Sequence, residues 1–304
     1  MSTLKVLYRD VDRTPYLFTM RHFARQYGLE LDLILALPGE PWGERLEGEI
    51  VDVIAENYWG LQRMRAKGAP FVTVGSVVNT FTEKLLATGD IHSVADLKGK
   101  KLAIRGVIHT PQALIPKMWL QDIGMDKDVE LVPVPDEEVG RWGHWKWVAD
   151  GRCQACFITN IYCDEPLAAG LHEVPYDEYY FEGMNVTLTT MEHLAATKHD
   201  DIQNLVNAAF DATRAFKSND PVVLKIMREE AWEPLKEHLD VPDEAALQKL
   251  FGQLRDELAD MPVPKPEGVL NAHRVIRDSD ETRRFNPMLM WDLSFAREAA
   301  RRVR

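Results

Sequence analysis

The chain has 304 residues, 45% of them apolar, and a formal net charge of −12 at pH 7, which allows one large domain or two lobes of about 150 residues each. The absence of a long Lys/Arg run argues against a nucleic-acid partner, because binding to a phosphate backbone requires clustered basic residues. No apolar stretch approaches about 18 residues and no signal-peptide pattern opens the chain, so we expect no membrane insertion and a cytoplasmic protein, or a periplasmic one if a native signal peptide has been removed.

Residues 4–74 alternate between predicted strands and predicted helices. Strands are predicted over 4–8, 29–35, 50–55 and 71–74, and helices with apolar residues at helical spacing over 15–27 and 58–66. This alternation indicates a mostly parallel sheet with helices on its faces.

A second series of elements begins near Ser93. Strands are predicted over 101–105, 129–134, 154–158, 172–174 and 184–189, and helices over 110–122, 137–150 and 160–169. The helix that begins at Thr110 has the best-defined start, because threonine caps helix N-termini well and Pro111 suits the first helical position.

After residue 191 the predicted elements are helices. They cover 193–217, 221–237, 243–259 and 290–301, with a proline-rich break over 262–266. The order of elements predicts an α/β protein of two lobes with a helical C-terminal region. Lobe 1 would comprise 1–80 and 186–304, lobe 2 would be the inserted segment 81–185, and the ligand cleft would lie between the two lobes.

Three cysteines, Cys153, Cys156 and Cys163, lie close together in the sequence. A Cys-x-x-Cys pair occurs in zinc and redox sites, but a zinc site usually has a second pair of cysteines or histidines, and none follows. Reduced cysteines packed in a core strand are therefore favoured. We predict no metal and no cofactor.

Ligands of open α/β sheets bind beyond the carboxyl ends of the strands, and in two-lobed proteins they bind between the lobes. This rule selects the residues that follow the predicted strands, to which we add His144 in a tryptophan-rich segment and Asn185 at a predicted crossover. The candidate ligand-binding residues are Arg9, Arg13, Thr14, Asn57, Tyr58, Trp59, Asn79, Arg105, Thr110, His144, Thr159, Asn160 and Asn185.

Several of these residues favour an anionic ligand. The free N–H groups and positive dipole end of the helix that begins at Thr110 would seat a carboxylate, sulfonate or phosphate. Arg9 and Arg13 can donate bidentate hydrogen bonds to a carboxylate. Helix capping alone at Thr110, and pairing of the arginines with neighbouring acids, are the competing interpretations.

Two residues are candidates for proton transfer. His109 precedes the Thr110 helix and could act as an acid or base beside a bound anion, since imidazole titrates near neutrality. Asp12 lies between the two arginines that follow the first strand. A structural or surface role remains the alternative for His109.

The segment RWGHWKWVADG carries His144 and three tryptophans. On the predicted helix Trp142 and Trp145 would share one face, whereas Trp147 would point elsewhere. We expect at least one of these rings to pack in the core. The alternative interpretation is that they form an aromatic lid over the cleft.

Two segments resemble the second lobe of type II periplasmic-binding-protein folds, in particular the group for taurine, alkanesulfonates and thiamine precursors. The first is SVADLKGKKLAI with the helix TPQALIPKMWLQDIGM, and the second is GRCQACFITNIYCDEPLAAG. The resemblance covers about residues 3–220 and identifies a fold better than a function.

Within this fold the chain is similar in two places to the 4,5-dihydroxyphthalate decarboxylase family. The segment DVDRTPYL resembles the one that follows the first strand of that family, and EYYFEGMNVTL resembles its hinge segment. At Asn185 the resemblance implies a histidine instead. The resemblance implies a cytoplasmic enzyme.

The leading hypothesis is a cofactor-independent lyase that decarboxylates a hydroxylated aromatic carboxylate. Arg13 and the Thr110 helix would hold carboxylates, and closure of the cleft would expel water. His109 or Asp12 would protonate the carbon that loses carbon dioxide.

The alternative is a solute-binding protein of an ABC transporter for a sulfonate, a carboxylate or a pyrimidine-like compound. A third hypothesis, a thiamine-pyrimidine synthase, requires an iron-binding cysteine motif for which CQACF is too sparse. The expected partner is a small anion, with an aromatic carboxylate favoured. The sequence does not decide whether the protein forms a homo-oligomer.

Overall fold

The computed structural model describes residues 1–9, 11–36, 42–80, 83–106, 111–140, 142–176, 182–238, 241 and 243–302. Its contacts divide the chain into two compact units. Unit 1 consists of Met1–Phe81 and Phe181–Arg304, and unit 2 is Thr82–Tyr180. Each unit contains one sheet and several helices, which confirms the predicted α/β class.

The first part of unit 1 alternates strands and helices as predicted. Its elements are β1 (Ser2–Tyr8), α1 (Thr14–Gln26), β2 (Leu29–Leu35), α2 (Trp42–Glu47), β3 (Val53–Glu56), α3 (Tyr58–Ala66) and β4 (Phe71–Thr80). Gly28 ends α1 with a left-handed backbone, φ 73°, which glycine adopts without steric cost. The chain can therefore reverse at once into β2.

Unit 2 follows the same alternation with shorter helices. Its elements are β5 (Glu83–Ala87), β6 (Lys101–Arg105), α4 (Pro111–Asp122), β7 (Glu130–Val134), α5 (Asp136–Val139), α6 (Lys146–Ala149), β8 (Ala155–Thr159), α7 (Asp164–Ala168) and β9 (His172–Glu173).

The single helix predicted over 137–150 is wrong. The structure has α5 and α6 with a 3₁₀ turn, Gly143–Trp145, between them. Gly140 and Trp142 adopt left-handed backbones, φ 82° and 68°, and such residues cannot continue a right-handed helix. Trp142 and Trp145 therefore do not share a helix face.

The remainder of unit 1 is mostly helical, as predicted. It comprises β10 (Glu182–Met191), α8 (Glu192–Thr197), α9 (His199–Lys217), α10 (Pro221–Ile226), α11 (Trp232–His238), α12 (Glu244–Glu257), α13 (Pro266–Ile276), α14 (Asp280–Arg284) and α15 (Ser294–Arg302). A π-helical segment, Met227–Ala231, joins α10 to α11. Within the described ranges no helix is long and apolar enough to cross a membrane.

The described strands of unit 1 form a sheet in the order β2-β1-β3-β10-β4. Strand β1 is parallel to β2 and β3, whereas β10 is antiparallel to β3 and β4. Helix α1 packs on α9, where the buried Tyr16 hydroxyl donates to the Ala209 carbonyl at 2.9 Å and its ring lies 6.1 Å from Phe216. These contacts fix the helix that follows β1.

The described strands of unit 2 form a sheet in the order β7-β6-β8-β5-β9. Strand β6 is parallel to β7 and β8, and β5 is antiparallel to β8 and β9. Leu85, Phe157 and Trp119 belong to one core cluster, and Ala103 and Cys156 belong to another. Successive residues of a strand point to opposite faces, so the two clusters cover the two sides of this sheet.

The three cysteines are free thiols buried in unit 2, which confirms the predicted reduced core cysteines. Burial raises the pKa of Cys156 well above its usual range and the pKa of Cys163 to about 12. Burial also raises the pKa of Cys153. All three thiols are therefore protonated at neutral pH and pack as small apolar groups.

Candidate functional site

Each sheet collects the ends of several strands at one edge. The carboxyl ends of β1 and β3 coincide because these strands are parallel, and the end of β4 joins them because β10 is antiparallel to both neighbours. We call this the unit 1 edge. The unit 2 edge, formed by the carboxyl ends of β6, β7 and β8, arises in the same way.

The predicted site residues that the structure describes fall at these two edges or on the segments that follow them. Those in unit 1 are Arg9, Asp12, Arg13, Thr14, Asn57, Tyr58, Trp59 and Asn79, and those in unit 2 are Arg105, His144, Thr159 and Asn160. His109 and Thr110 lie outside the described residues. Asn185 lies in β10, where the pairing with β4 shifts register between Glu182 and Val186.

Arg13 is enclosed by two carboxylates at the unit 1 edge. Its Nη1 donates to Glu257 Oε2 at 2.7 Å, and its Nε lies 3.2 Å from Asp12 Oδ2. All three side chains are buried, and the second oxygen of Glu257 has no hydrogen-bond partner among the described residues. The guanidinium therefore neutralises acids of the protein itself, so Arg13 is a weaker candidate for ligand contact than its residue type suggests.

Arg9 is tied to the buried Glu56. Its Nη2 lies 3.6 Å from Glu56 Oε1, and the same oxygen accepts the backbone N–H of Asn57 at 3.0 Å and the side-chain amide of Asn57 at 2.9 Å. The Arg9 side chain is 31% exposed, compared with 9% for Arg13. Arg9 is therefore the more accessible of the two cations at this edge.

Tyr58 and Trp59 begin α3 and are both buried. The Tyr58 hydroxyl donates to the Pro287 carbonyl at 3.1 Å and accepts from Trp291 Nε1 at 3.0 Å. The rings of Tyr58 and Trp291 stack. The Nε1 of Trp59 forms no hydrogen bond with any described residue. Tyr58 thus joins α3 to a C-terminal segment of its own unit.

Thr14 and Asn79 are also buried. The Thr14 hydroxyl lies 3.4 Å from the Tyr8 hydroxyl. The Asn79 side chain accepts from the Ser76 hydroxyl at 2.5 Å and donates to the Val263 carbonyl at 2.6 Å. These side chains stabilise the strand ends around them.

The unit 2 edge places an arginine between an acid and an aromatic ring. Arg105, the last residue of β6, donates from Nη2 to Asp136 Oδ2 at 2.9 Å and from Nε to both carboxylate oxygens at 3.2 Å. Its guanidinium carbon lies 4.2 Å from the centre of the Trp142 ring, within the range of a cation–π contact. With the described residues, Arg105 Nη1 forms no hydrogen bond.

Trp142 contacts two side chains through its ring. The Arg105 guanidinium lies over the ring, and the Tyr162 ring stacks with it at 4.9 Å and an interplanar angle of 19°. The left-handed backbone of Trp142 is unusual for a bulky residue and persists only when surrounding contacts hold it in place. Arg105, Trp142 and Tyr162 follow three neighbouring strands, and together they form a fixed stack that we call the unit 2 stack.

His144 is buried beneath this edge. Its Nε2 lies 2.7 Å from the Phe157 carbonyl, which can only accept, so this nitrogen carries the proton. Its Nδ1 has no hydrogen-bond partner in the part of the chain that the structure describes. Burial lowers the pKa of His144 to about 4, so the ring is neutral at pH 7 and supports the structure through β8.

Thr159 and Asn160 lie where β8 ends. Thr159 pairs in register with Glu83, the first residue of β5, and its side chain forms a hydrogen bond with the Glu83 carboxyl group. Asn160 begins the 3₁₀ turn Asn160–Tyr162 that positions Tyr162. Glu83 therefore belongs to the unit 2 edge although β5 runs in the opposite direction.

Sequence reasoning missed several residues at these edges. Asp136 follows β7, so the rule that selected Arg105 could have selected it as well. Glu83 begins its strand, and only knowledge that β5 is antiparallel to β8 would have placed it at this edge. Glu257 has no local signal, because it reaches Arg13 from 244 residues away.

The folds and edges described above define an α/β protein of the periplasmic-binding-protein type. The family model described as NMT1/THI5 like matches residues 25–222. The chain belongs to this family, which confirms the predicted resemblance to sulfonate- and thiamine-precursor-binding proteins. No curated protein matches the sequence significantly.

Solved structures similar to this chain include transport proteins and an enzyme. The periplasmic sulfonate-binding protein SsuA of Methylobacillus flagellatus KT is 14% identical, with 99% of this chain and 94% of that chain covered and a TM-score of 0.72. The periplasmic nitrate-binding protein NrtA of Synechocystis PCC 6803 is 13% identical, with 99% and 89% covered and a TM-score of 0.63. A DszB mutant in complex with biphenyl-2-sulfinic acid is 16% identical, with 99% of each chain covered and a TM-score of 0.65.

These comparisons overturn the predicted decarboxylase. The matched family is NMT1/THI5 like. The similar transport proteins are described as binding sulfonate and nitrate, and neither is described as a decarboxylase. The expected cytoplasmic location likewise has no support, since both transport proteins are described as periplasmic.

Proposed function

We propose that this protein is the solute-binding component of an ABC importer and that its ligand is a small anion of the sulfonate or nitrate type. Family membership and the likeness to SsuA and NrtA support this function. Such a protein works in the periplasm. The function requires a site that recognises the ligand and leaves it unchanged.

The observation that carries the proposal is the fixed position of Arg105. Asp136 holds one edge of its guanidinium, the Trp142 ring covers one face, and Nη1 donates to none of the described residues. Because these contacts already immobilise the side chain, binding an anion costs little further side-chain entropy. Hydrogen bonds between a guanidinium and an anion are about twice as strong as neutral ones.

The partly exposed rings of the unit 2 stack favour a ligand with a flat apolar part. Trp142 and Tyr162 lie beside Arg105. Contact between two aromatic rings contributes about 0.5–1.5 kcal/mol of stabilisation beyond the effect of the surface area that they bury. The biphenyl-2-sulfinic acid in the DszB structure is an anion of this shape. An aromatic sulfonate is therefore the ligand that we would test first, with an aromatic carboxylate beside it.

A thermal-shift panel tests this function. We expect benzenesulfonate to raise the melting temperature more than methanesulfonate, nitrate or benzoate, with sodium chloride at equal ionic strength as the control. A ligand at 100 times its Kd stabilises a folded protein by about 2.7 kcal/mol. The function would be wrong if no sulfonate or nitrate stabilised the protein, or if mass spectrometry showed that a bound ligand had been converted.

A further inference from the structure

Glu83 is an acid at the unit 2 edge for which the described residues provide no ion pair. It is the first residue of β5 and lies opposite Thr159, the last residue of β8. Its side chain lies on the same face of the strand as Leu85, which pairs with Phe157. The carboxyl group therefore lies beside an apolar core face with a single hydroxyl as its described hydrogen-bond partner.

The cations near β5 are already paired with other acids. Arg105, on β6, has its guanidinium held by Asp136. Lys84 points to the opposite face of β5 and lies 2.5 Å from Glu173 on β9. Among the residues that the structure describes, the Glu83 carboxyl group is thus left without a paired cation at this edge.

The remaining titratable groups that face Glu83 do not supply a positive charge. Among the described residues, those that interact with it are the thiol of Cys163, the hydroxyl of Tyr176, which donates to the Glu83 main-chain carbonyl, and, from the opposite face of the sheet, the thiol of Cys156. Burial raises the pKa of all three groups. None of them stabilises an ionised carboxylate as a cation would.

Glu83 is partly buried. A carboxyl group that loses hydration without a counter-ion holds its proton more tightly, because transfer of an unpaired charge out of water is costly. Burial raises the pKa of Glu83 to about 8, although the charge of Arg105 and the hydrogen bond from Thr159 lower it. The charges of Arg105, Asp136 and Glu83 sum to zero when Glu83 is neutral, because the charges of Arg105 and Asp136 cancel. The three charges sum to −1 when Glu83 is ionised.

We propose that Glu83 is a specificity-determining residue of the unit 2 edge: its neutral form admits a small anion beside Arg105, and its ionised form repels that anion. The inference takes its ligand class from the proposed function. It goes beyond that function because it makes anion binding depend on the proton of the Glu83 carboxyl group. Ligands that stay fully ionised at neutral pH, which include sulfonates, nitrate and carboxylates, are the class that such a site admits. Binding of the anion and loss of the Glu83 proton then oppose each other, as linkage requires.

Calorimetric titration of benzenesulfonate at pH 6.5 and pH 9.5 tests the binding half of the proposal. The wild-type affinity should fall about tenfold, which corresponds to a rise of about one unit in the pKa of Glu83 when the anion binds. Glu83→Gln, which imitates the neutral acid, should bind equally well at both pH values. Glu173→Gln, a matched change of an exposed acid on β9, should keep the wild-type pH dependence. If the affinity of wild type and that of Glu83→Gln changed equally between the two pH values, the proposal would be overturned.

Infrared spectroscopy of the ligand-free protein tests the proton itself and does not depend on the proposed function. The wild type should show a protonated-carboxyl band at pH 6.5 that disappears near pH 8 and is missing from Glu83→Gln. Absence of this difference band overturns the inference whether or not any anion binds. Because glutamine keeps the shape and hydrogen bonding of the neutral acid, the variant should melt at the wild-type temperature at pH 6.5, and the spectra can then be compared directly.

Discussion

Arg13 shows how a charged side chain can serve stability at a position that resembles a ligand site. It lies between Asp12 and Glu257, and all three side chains are buried. Burial of charges is costly, and the three groups are stable together because each acid faces the guanidinium. Removal of Arg13 would leave two like charges buried side by side.

We expect Arg13→Gln to lower the free energy of unfolding by about 3–5 kcal/mol, the usual cost of breaking a buried ion pair. Urea unfolding followed by circular dichroism measures the change. Arg63→Gln is the control, because Arg63 lies 2.8 Å from Asp278 in a more exposed pair that contributes at most about 1 kcal/mol. Equal losses in both variants would show that burial of the Arg13 cluster has no special effect.

Helix α12 carries Glu257 to Arg13, so its stability matters to the unit 1 edge. The helix begins at a well-formed cap, in which the Asp243 side chain accepts the backbone N–H of Ala246 at 2.9 Å. Its buried residues Leu247, Leu250 and Leu254 follow a helical spacing and fix the helix in unit 1. Glu257 is its last residue.

Asp243→Ala should destabilise the protein by about 1 kcal/mol, because it leaves an N–H group at the helix start without its acceptor. Asp243→Asn keeps a side-chain oxygen and should cost only a few tenths of that, about 0.3 kcal/mol. Thermal unfolding measured by calorimetry compares the two variants. A similar loss for alanine and asparagine would mean that charge, rather than the cap hydrogen bond, stabilises this end.

At the scale of elements, the sequence predicts regular segments well and irregular ones poorly. Periodicity and a closing glycine predict α1, β2 and α3 nearly to the residue. The helix predicted over 137–150 fails because Trp142 takes a left-handed backbone that no local pattern favours. The prediction also leaves α13 out, although Pro266 at its start and its apolar spacing were visible signals.

At the scale of the whole molecule, the net charge of −12 works against an anionic ligand. The long-range field of the protein repels anions, so affinity must come from a local donor in a fixed position. The sequence could predict Arg105 as such a donor from its place at the end of a strand. It could not predict that Asp136 and Trp142 would immobilise it, because these contacts depend on how the segments after β6 and β7 fold.

Calorimetric titration of benzenesulfonate into wild type, Arg105→Gln and Arg63→Gln at pH 6.5 tests the central claim most directly. The account predicts unchanged binding to Arg63→Gln and a loss of about 10–100-fold in affinity for Arg105→Gln, since a hydrogen bond to a charged group contributes about 1.5–3 kcal/mol. The ligand should be recovered intact from each sample. Wild-type affinity in a folded Arg105→Gln variant would contradict the claim that this arginine holds the anion.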